Sequence, residues 1–181
     1  MRSGGVAVLT TMPLVSVLTF AVAAAGCATD LRSRRIPNWL TGGAATMALL
    51  YHLWTGGPSA LLLSLAGLLV GGAIFFLPFA LGGLGGGDVK LLAALGAWAG
   101  PSDALWIALY SGVAGGLLAI VTALGSGYLR TALRNVSRLL VHWGQAGITP
   151  LPDLTLERSA APKLAYALPI LCGTLVTLWQ H

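Results

Sequence analysis

The sequence predicts an all-α membrane protein, a polytopic six-helix bundle with an amphipathic connector on the cytoplasmic side. Two observations carry this prediction. Only 8% of the 181 residues are charged and 56% are hydrophobic, with a mean hydropathy of +0.85, a composition typical of membrane-embedded chains. The apolar residues also fall into runs that turn-forming residues separate, as membrane-spanning helices require.

Six apolar stretches follow one another along the chain. They cover residues 6–27, 39–54, 60–81, 89–100, 105–127 and 164–179. A transmembrane helix needs about 17 to 25 apolar residues, so the second stretch is marginal and the fourth is too short to cross alone. The fourth helix is therefore expected to begin inside the membrane, at or below Asp88.

The basic residues indicate how the helices are oriented. With an outer N-terminus and alternating helices, only Arg2 lies on the outer side. The inner bases are then Arg32, Arg34, Arg35, Lys90, Arg130, Arg134, Arg138, Arg158 and Lys163. This asymmetry follows the positive-inside rule. Because the bases are not clustered with aromatic residues, nucleic acid is not expected as a partner.

The segment 128–143, between the fifth and sixth stretches, is amphipathic. Arg130, Arg134 and Arg138 recur at every fourth position, whereas the apolar side chains fall largely on another face. This pattern predicts a helix that lies flat on anionic membrane lipid. Two interpretations stay open: a basic interfacial connector, and a docking site for an acidic or lipid-proximal segment of a partner.

Small residues recur at the spacing that permits close helix contact. Gly67 with Gly71, and Gly112 with Gly116, each form a G-x-x-x-G motif, which lets two helix backbones approach closely. We expect both motifs to hold the chain's own helices together. The two cysteines are far apart and give no metal-binding spacing, so no metal site and no cofactor are predicted.

Asp88 is a carboxylate in an otherwise apolar region. Three glycines precede it: Gly85, Gly86 and Gly87. A charge in the middle of a membrane costs at least about 2.5 kcal/mol by insertion scales. As a structural residue, Asp88 would be the N-cap of the following helix, with Lys90 reaching the inner surface. As a functional residue, which intramembrane charges favour, it would lie behind glycines that adopt positive φ and leave room for a substrate backbone.

A second carboxylate, Asp30, ends the first helix on the same inner side. By itself, an acid among Arg32, Arg34 and Arg35 is an ordinary ion-paired loop residue. Facing Asp88, it would complete a simple arrangement for peptide hydrolysis, because two neighbouring carboxylates share one proton. The ionised carboxylate takes a proton from the attacking water, and the protonated one supplies a proton to the peptide carbonyl oxygen.

These two segments resemble the signature of a known enzyme family. DLRSRRIPNWL and GGLGGGDVKLLAALGAWAG are similar to the two signature segments of the type IV prepilin peptidases, bacterial aspartic membrane proteases with the motif Gly-x-Gly-Asp. The first catalytic Asp of the family precedes an Ile-Pro-Asn, which here ends in Pro37 and Asn38, and the second precedes Val-Lys, which here ends in Lys90. Tyr166-Ala167-Leu168-Pro169 is a weaker third match, from which nothing catalytic is drawn.

The resemblance implies an aspartic endopeptidase with the catalytic residues Asp30 and Asp88. It implies that the enzyme removes the short basic leader of a prepilin or pseudopilin at the cytoplasmic face of the bacterial inner membrane. Substrate-access or motif-support residues are then Gly85, Gly86, Gly87, Lys90, Pro37 and Asn38. For Asn38, an N-cap of the second helix is an alternative role, with Pro37 beside it.

Larger members of that family carry an additional N-terminal domain with Cys-x-x-Cys zinc motifs and also methylate the pilin. This chain begins directly with its first helix, so a single peptidase domain over residues 1–181 without a methyltransferase domain is expected. It is similar to the short peptidase-only forms, including those that serve Flp (Tad) pili.

Two other classes of function remain as alternatives. A small ion- or proton-coupled transporter would use Asp88 at a broken helix, with a water path across the membrane and little need for Asp30. A non-catalytic assembly factor for a pilus or secretion system would need neither aspartate.

Overall fold

The computed structural model describes residues 4–149, 151–154 and 165–180, and within these ranges every regular element is helical. The α-helices are α1 (Gly4–Ser33), α2 (Asn38–Ala80), α3 (Gly86–Ala99), α4 (Pro101–Gly125), α5 (Leu129–Ala146) and α6 (Ala167–Gln180), and a 3₁₀ turn covers Pro152–Leu154. The predicted all-α class is confirmed. Arg2, Arg158, Lys163 and the predicted start of the last helix at residue 164 lie outside the described residues.

Helix α2 contains two of the predicted helices. Its 43 residues would extend about 65 Å as a straight helix, roughly twice the thickness of a bilayer core. Gly57 breaks it with φ 69° and ψ −161°, a left-handed conformation that favours glycine, and Pro58 follows. The arms 38–56 and 58–80 therefore correspond to the second and third apolar stretches.

The two arms of α2 run in opposite directions along α3. Near the end of α3, the imidazole Nε2 of His52 lies 3.1 Å from the Trp98 carbonyl oxygen, and the Ser64 hydroxyl donates to the Ala97 carbonyl at 2.6 Å. The outer ends of the two arms, at Asn38 and Ala80, instead lie beside the start of α3. The arms thus form a hairpin whose bend is at Gly57.

Glycines set the close packing of α2 on α3. A methyl group built on Gly67 would collide with the carbonyl oxygen of Gly96, and one built on Gly71 would lie 2.5 Å from the carbonyl oxygen of Leu92. The backbones can approach this closely only without side chains at these positions. The expected role of Gly67 and Gly71 within the chain is confirmed.

The same expectation is wrong for Gly112 and Gly116. A methyl group at either position would meet no atom of the described residues within 4 Å, because both glycines lie on an exposed face of α4. The contact is made instead by Gly115, where a methyl group would lie 2.7 Å from the ring of Tyr166. Around the helix, Gly116 lies about 100° from Gly115 and Gly112 about 60° from it on the other side, so of the three only Gly115 faces the bundle.

Three described helical segments are long and apolar enough to span a membrane: Leu14–Ser33, Asn38–Ala80 and Pro101–Gly125. Helices α3 and α6 have 14 residues each, which corresponds to about 21 Å, less than the roughly 30 Å of a bilayer core. As the sequence predicts, the fourth apolar stretch forms a short helix whose first turn contains Asp88.

The core of the bundle forms around α3. Leu91, Leu92 and Leu95 are fully buried and pack with Ile107 of α4 and Ile170 of α6. Side chains from α1 and α2 complete the cluster: Ala23, Cys27 and Phe75. Because α3 lies at the centre, its first turn is enclosed by the ends of several helices.

Candidate active site

Asp30 lies in the last turn of α1 and is buried, with 8% of its surface exposed. The turn that follows explains how the chain leaves the helix. Arg34 adopts a left-handed φ of 54° while its N–H donates to the Asp30 carbonyl at 2.8 Å. The Ser33 hydroxyl oxygen lies 2.8 Å from the Thr29 carbonyl oxygen and 3.1 Å from that of Arg35. The chain thereby reverses within a few residues and returns towards α3.

Asp88 lies in the first turn of α3 and is equally buried, with 8% exposed. Gly85 is the N-cap of this helix, and its N–H donates to Oδ2 of Asp88 at 3.3 Å. The expectation that Asp88 itself is the N-cap is therefore wrong: Asp88 is the third helical residue, and its carboxylate reaches back to the cap. The bond from the Gly85 N–H is one of the two hydrogen bonds that make up a capping box, and it holds the carboxylate at the helix N-terminus.

The glycines before Asp88 do not adopt the positive φ that the sequence predicts. Gly85 has φ −81°, and Gly86 and Gly87 already belong to α3, whereas the left-handed glycine of this loop is Gly82, with φ 77°. Their small size instead lets neighbouring side chains pack closely against the start of α3. A methyl group on Gly87 would lie 3.3 Å from Cβ of Ile36, and one on Gly86 would lie 3.4 Å from the Phe79 ring.

The segment after Asp30 is joined to the helix that carries Asp88. Besides the contact of Ile36 with Gly87, the ammonium group of Lys90 donates to Oδ1 of Asn38 at 2.9 Å. Asn38 is the first residue of α2 and does not cap it; Pro37 occupies the cap position, without a side-chain cap bond. The side-chain oxygen of Asn38 is engaged by Lys90 instead, so the two signature segments contact each other directly.

The two aspartates, 58 positions apart in the sequence, come together at one end of the bundle. They lie within electrostatic range of each other. Among the described residues neither forms an ion pair, and the ion pair seen there, between Arg138 and Asp153 at 4.0 Å, is on the surface.

The start of α6 supplies a contact that the sequence does not reveal. The backbone N–H of Ala167 donates to Oδ2 of Asp30 at 3.3 Å. Tyr166, just before it, packs its ring against Phe75, with centroids 5.7 Å apart, and its hydroxyl donates to the Ser111 carbonyl at 3.4 Å. In the sequence, only the weak family match at Tyr166 to Pro169 pointed to this segment. The contact itself could not be predicted, because a backbone N–H that donates to a carboxylate leaves no pattern in the sequence.

Metal ligands are not grouped in the described part of the chain: no cluster of three or more His, Cys, Asp or Glu side chains occurs there. The buried carboxylates face backbone N–H groups of Gly85 and Ala167, which are hydrogen-bond donors and not metal ligands.

The sequence profile of the type IV leader peptidase family matches residues 17–120, more than half of the chain. The chain belongs to the type IV leader peptidase family. The matched region contains both buried aspartates and the segments joined by Lys90 and Asn38, and it ends before α5 and α6. No curated protein and no solved structure matches the chain.

Proposed function

We propose that this membrane protein is an aspartic endopeptidase that cleaves the short basic leader from type IV prepilins or pseudopilins, with Asp30 and Asp88 as the catalytic pair. One observation carries the proposal. In a member of the leader peptidase family, two buried carboxylates from separate helices lie within electrostatic range of each other. A transporter that uses Asp88 alone would not need this partner.

In the proposed reaction the two carboxyl groups hold one proton between them. The ionised carboxylate removes a proton from a water molecule as the water oxygen bonds to the carbonyl carbon of the scissile peptide. The protonated carboxyl gives its proton to the carbonyl oxygen. When the tetrahedral intermediate collapses, the C–N bond breaks and the leaving amine takes the proton that the first carboxylate removed from water. A hydroxyl group of the intermediate returns its proton to the second carboxylate, which forms the new carboxyl product and regenerates the pair with one proton.

Backbone donors position the two carboxylates for this chemistry. The Ala167 N–H bonds Asp30, and the Gly85 N–H bonds Asp88, so each side chain is held while its other oxygen stays available. Gly86 and Gly87 support the site by letting Phe79 and Ile36 pack closely against the first turn of α3. Lys90 and Asn38 support the site by joining the segments that carry the aspartates.

The charges around the site support cleavage on the cytoplasmic side of the bacterial inner membrane. Arg32, Arg34 and Arg35 follow Asp30 directly, and Lys90 lies at the same end of the bundle. Positive charge near helix ends is retained on the cytoplasmic side. The substrate leader would be cut there, and an Flp-type prepilin is a suitable first substrate because the chain resembles the short peptidases that serve such pili.

Co-expression with a prepilin tests the proposal. We expect the wild type to convert the prepilin to a faster-migrating form on a gel, and Asp30→Asn and Asp88→Asn each to abolish the conversion, because asparagine cannot carry the shared proton. Asp103→Asn, in the first turn of α4 at the opposite end of the bundle, is the matched control and should cleave normally.

The protein level of each variant in the membrane fraction is measured in parallel. Cleavage by either Asp30→Asn or Asp88→Asn would refute the catalytic pair. A wild type that cleaves neither type IV prepilins, Flp-type prepilins nor pseudopilins would contradict the peptidase assignment and would favour transport.

A further inference from the structure

Helix α5 has an apolar strip that the described part of the chain leaves largely uncovered. Leu133, Val136 and Leu140 are 63%, 54% and 61% exposed. Their spacing of three and four residues places them on one face of the helix. Removing large aliphatic side chains from water is favourable, so a strip of three such side chains favours an apolar surface that covers it.

The position of α5 places this strip at the membrane boundary. Helix α4 is long and apolar enough to span a bilayer and ends at Gly125. A tight turn follows, in which Gly127 has φ 68° and the Tyr128 N–H donates to the Ala123 carbonyl at 2.8 Å. Helix α5 then begins at once, at Leu129, so it leaves the bundle at the depth where the span ends.

One flank of the apolar face already rests on the bundle. Leu139 and Trp143 line a cavity of about 160 Å³ together with Pro78 and Leu81, at the end of α2. The exposed strip lies beside this flank, turned away from it around the helix axis. Helix α5 thus lies at the edge of the bundle, with its exposed strip turned away from the end of α2.

The arginines of α5 differ in their relation to the strip. Each four-residue step turns a side chain by about 40° around the helix, so Arg130 flanks the strip, Arg134 lies further round, and Arg138 points away from it. Arg138 lies 4.0 Å from Asp153. Within the described residues, Arg130 and Arg134 form no ion pair. Arg134 lines a cavity together with Arg138 and Leu151, so Arg130 is the guanidinium group that lies next to the strip.

We propose that α5 binds an anionic lipid surface, with Leu133, Val136 and Leu140 inserted at the level of the acyl-chain boundary and Arg130 bound to a lipid phosphate group. An apolar face that continues the end of a membrane span, with a cation along its edge, has the arrangement of an interfacial helix. Each basic residue near an anionic surface adds about 1 kcal/mol, a factor of roughly five in binding. This surface is separate from the proposed peptidase chemistry.

Spin-label accessibility in the full chain tests this proposal. A nitroxide is attached to the new cysteine of Leu140→Cys, in a chain in which Cys172→Ser removes the exposed native cysteine. The Cys172→Ser chain without the new cysteine is the control, because it reports any labelling of buried Cys27. The protein is reconstituted into vesicles of phosphatidylcholine, with or without phosphatidylglycerol. We expect the label in anionic vesicles to collide readily with oxygen, which partitions into lipid, and rarely with a water-soluble nickel chelate.

Two arginine variants distinguish binding of a lipid headgroup by Arg130 from a general effect of net charge on membrane binding. Arg130→Gln should shift the ratio of lipid-facing to water-facing label towards water by about fivefold in anionic vesicles. Arg138→Gln removes the same charge from the opposite face of the helix and should shift the ratio by much less. The effect of Arg130→Gln should disappear in vesicles of phosphatidylcholine alone.

Three results would overturn the proposal. A label that meets the nickel chelate freely in both membranes would show that the strip faces water and is open to a soluble partner. A label shielded from both reagents would show that protein covers the strip, as a second copy of the chain would. Equal effects of Arg130→Gln and Arg138→Gln would show that Arg130 acts only through net charge and would contradict its binding to a lipid headgroup. Size-exclusion profiles of the variants in detergent report whether each is folded.

Discussion

At the scale of single residues, the structure explains how two carboxylates are kept buried in an apolar bundle. Asp30 and Asp88 each accept a backbone N–H, from Ala167 and Gly85, which compensates part of the cost of removing a charged group from water. The sequence identifies both aspartates because side-chain type and spacing carry that information. It does not identify the donors, since almost every residue has a backbone N–H and only the fold decides where it points.

The hydrogen bond between Lys90 and Asn38 provides the first residue-scale prediction. Its length is 2.9 Å and both side chains are exposed, so we expect a coupling of about 1 kcal/mol in the free energy of unfolding. Thermal unfolding of Lys90→Met, Asn38→Leu and the double variant measures it. The double variant should lose less stability than the two single losses added together; simple additivity would show that the bond contributes nothing.

At the scale of elements, the start of α6 connects the bundle to Asp30. Tyr166 packs on α4 at Gly115, and the next residue, Ala167, donates its N–H to the carboxylate. The position of one aspartate therefore depends on how closely α6 approaches α4. Nothing in the residues 166–169 indicates this dependence without knowledge of the helix that they face.

Two adjacent glycines of α4 test this connection. In Gly115→Ala, the new methyl group would lie 2.7 Å from the Tyr166 ring, whereas in Gly116→Ala it would meet nothing within 4 Å. We expect Gly115→Ala to displace the start of α6 and to slow cleavage on the order of tenfold or more, with Gly116→Ala close to the wild type. Cleavage rates of purified protein on a prepilin test this prediction. Equal rates for the two variants would show that the packing of α6 against α4 does not control the site.

The two G-x-x-x-G motifs show what a helix motif does and does not predict. The motif identifies a face without side chains, but it does not say what lies opposite. Gly67 and Gly71 face the α3 backbone, whereas Gly112 and Gly116 face no described atom within 4 Å. The sequence therefore predicts the α2 contact correctly and the α4 contact wrongly.

A matched pair of alanine variants tests the α2 contact. Gly67→Ala should lower the free energy of unfolding by about 1 to 3 kcal/mol, because the methyl group collides with the Gly96 carbonyl oxygen and overpacking forces the helices apart. Gly112→Ala, in open space, should be neutral or slightly stabilising through helix propensity. Thermal unfolding in detergent measures both, and equal unfolding temperatures would show that α2 and α3 are not packed as described.

At the scale of the whole molecule, alternating helix direction brings the two aspartates together. The end of α1, both outer ends of the α2 hairpin and the start of α3 meet at one end of the bundle. The number and order of helices are predictable, because apolar runs and glycine or proline breaks are visible in the sequence. The contact of α6 with Asp30 is not, because it depends on packing between segments far apart in the chain.

The central claim is that Asp30 and Asp88 act as one unit, and the most direct measurement is a double-variant cycle of cleavage rates. Purified wild type, Asp30→Asn, Asp88→Asn and the double variant are compared under single-turnover conditions on one prepilin. If the pair shares a proton, each single variant should lose at least about a thousandfold in rate and the double variant should be no slower than either. Multiplying losses, or a single variant that keeps a rate near the wild type, would contradict the claim.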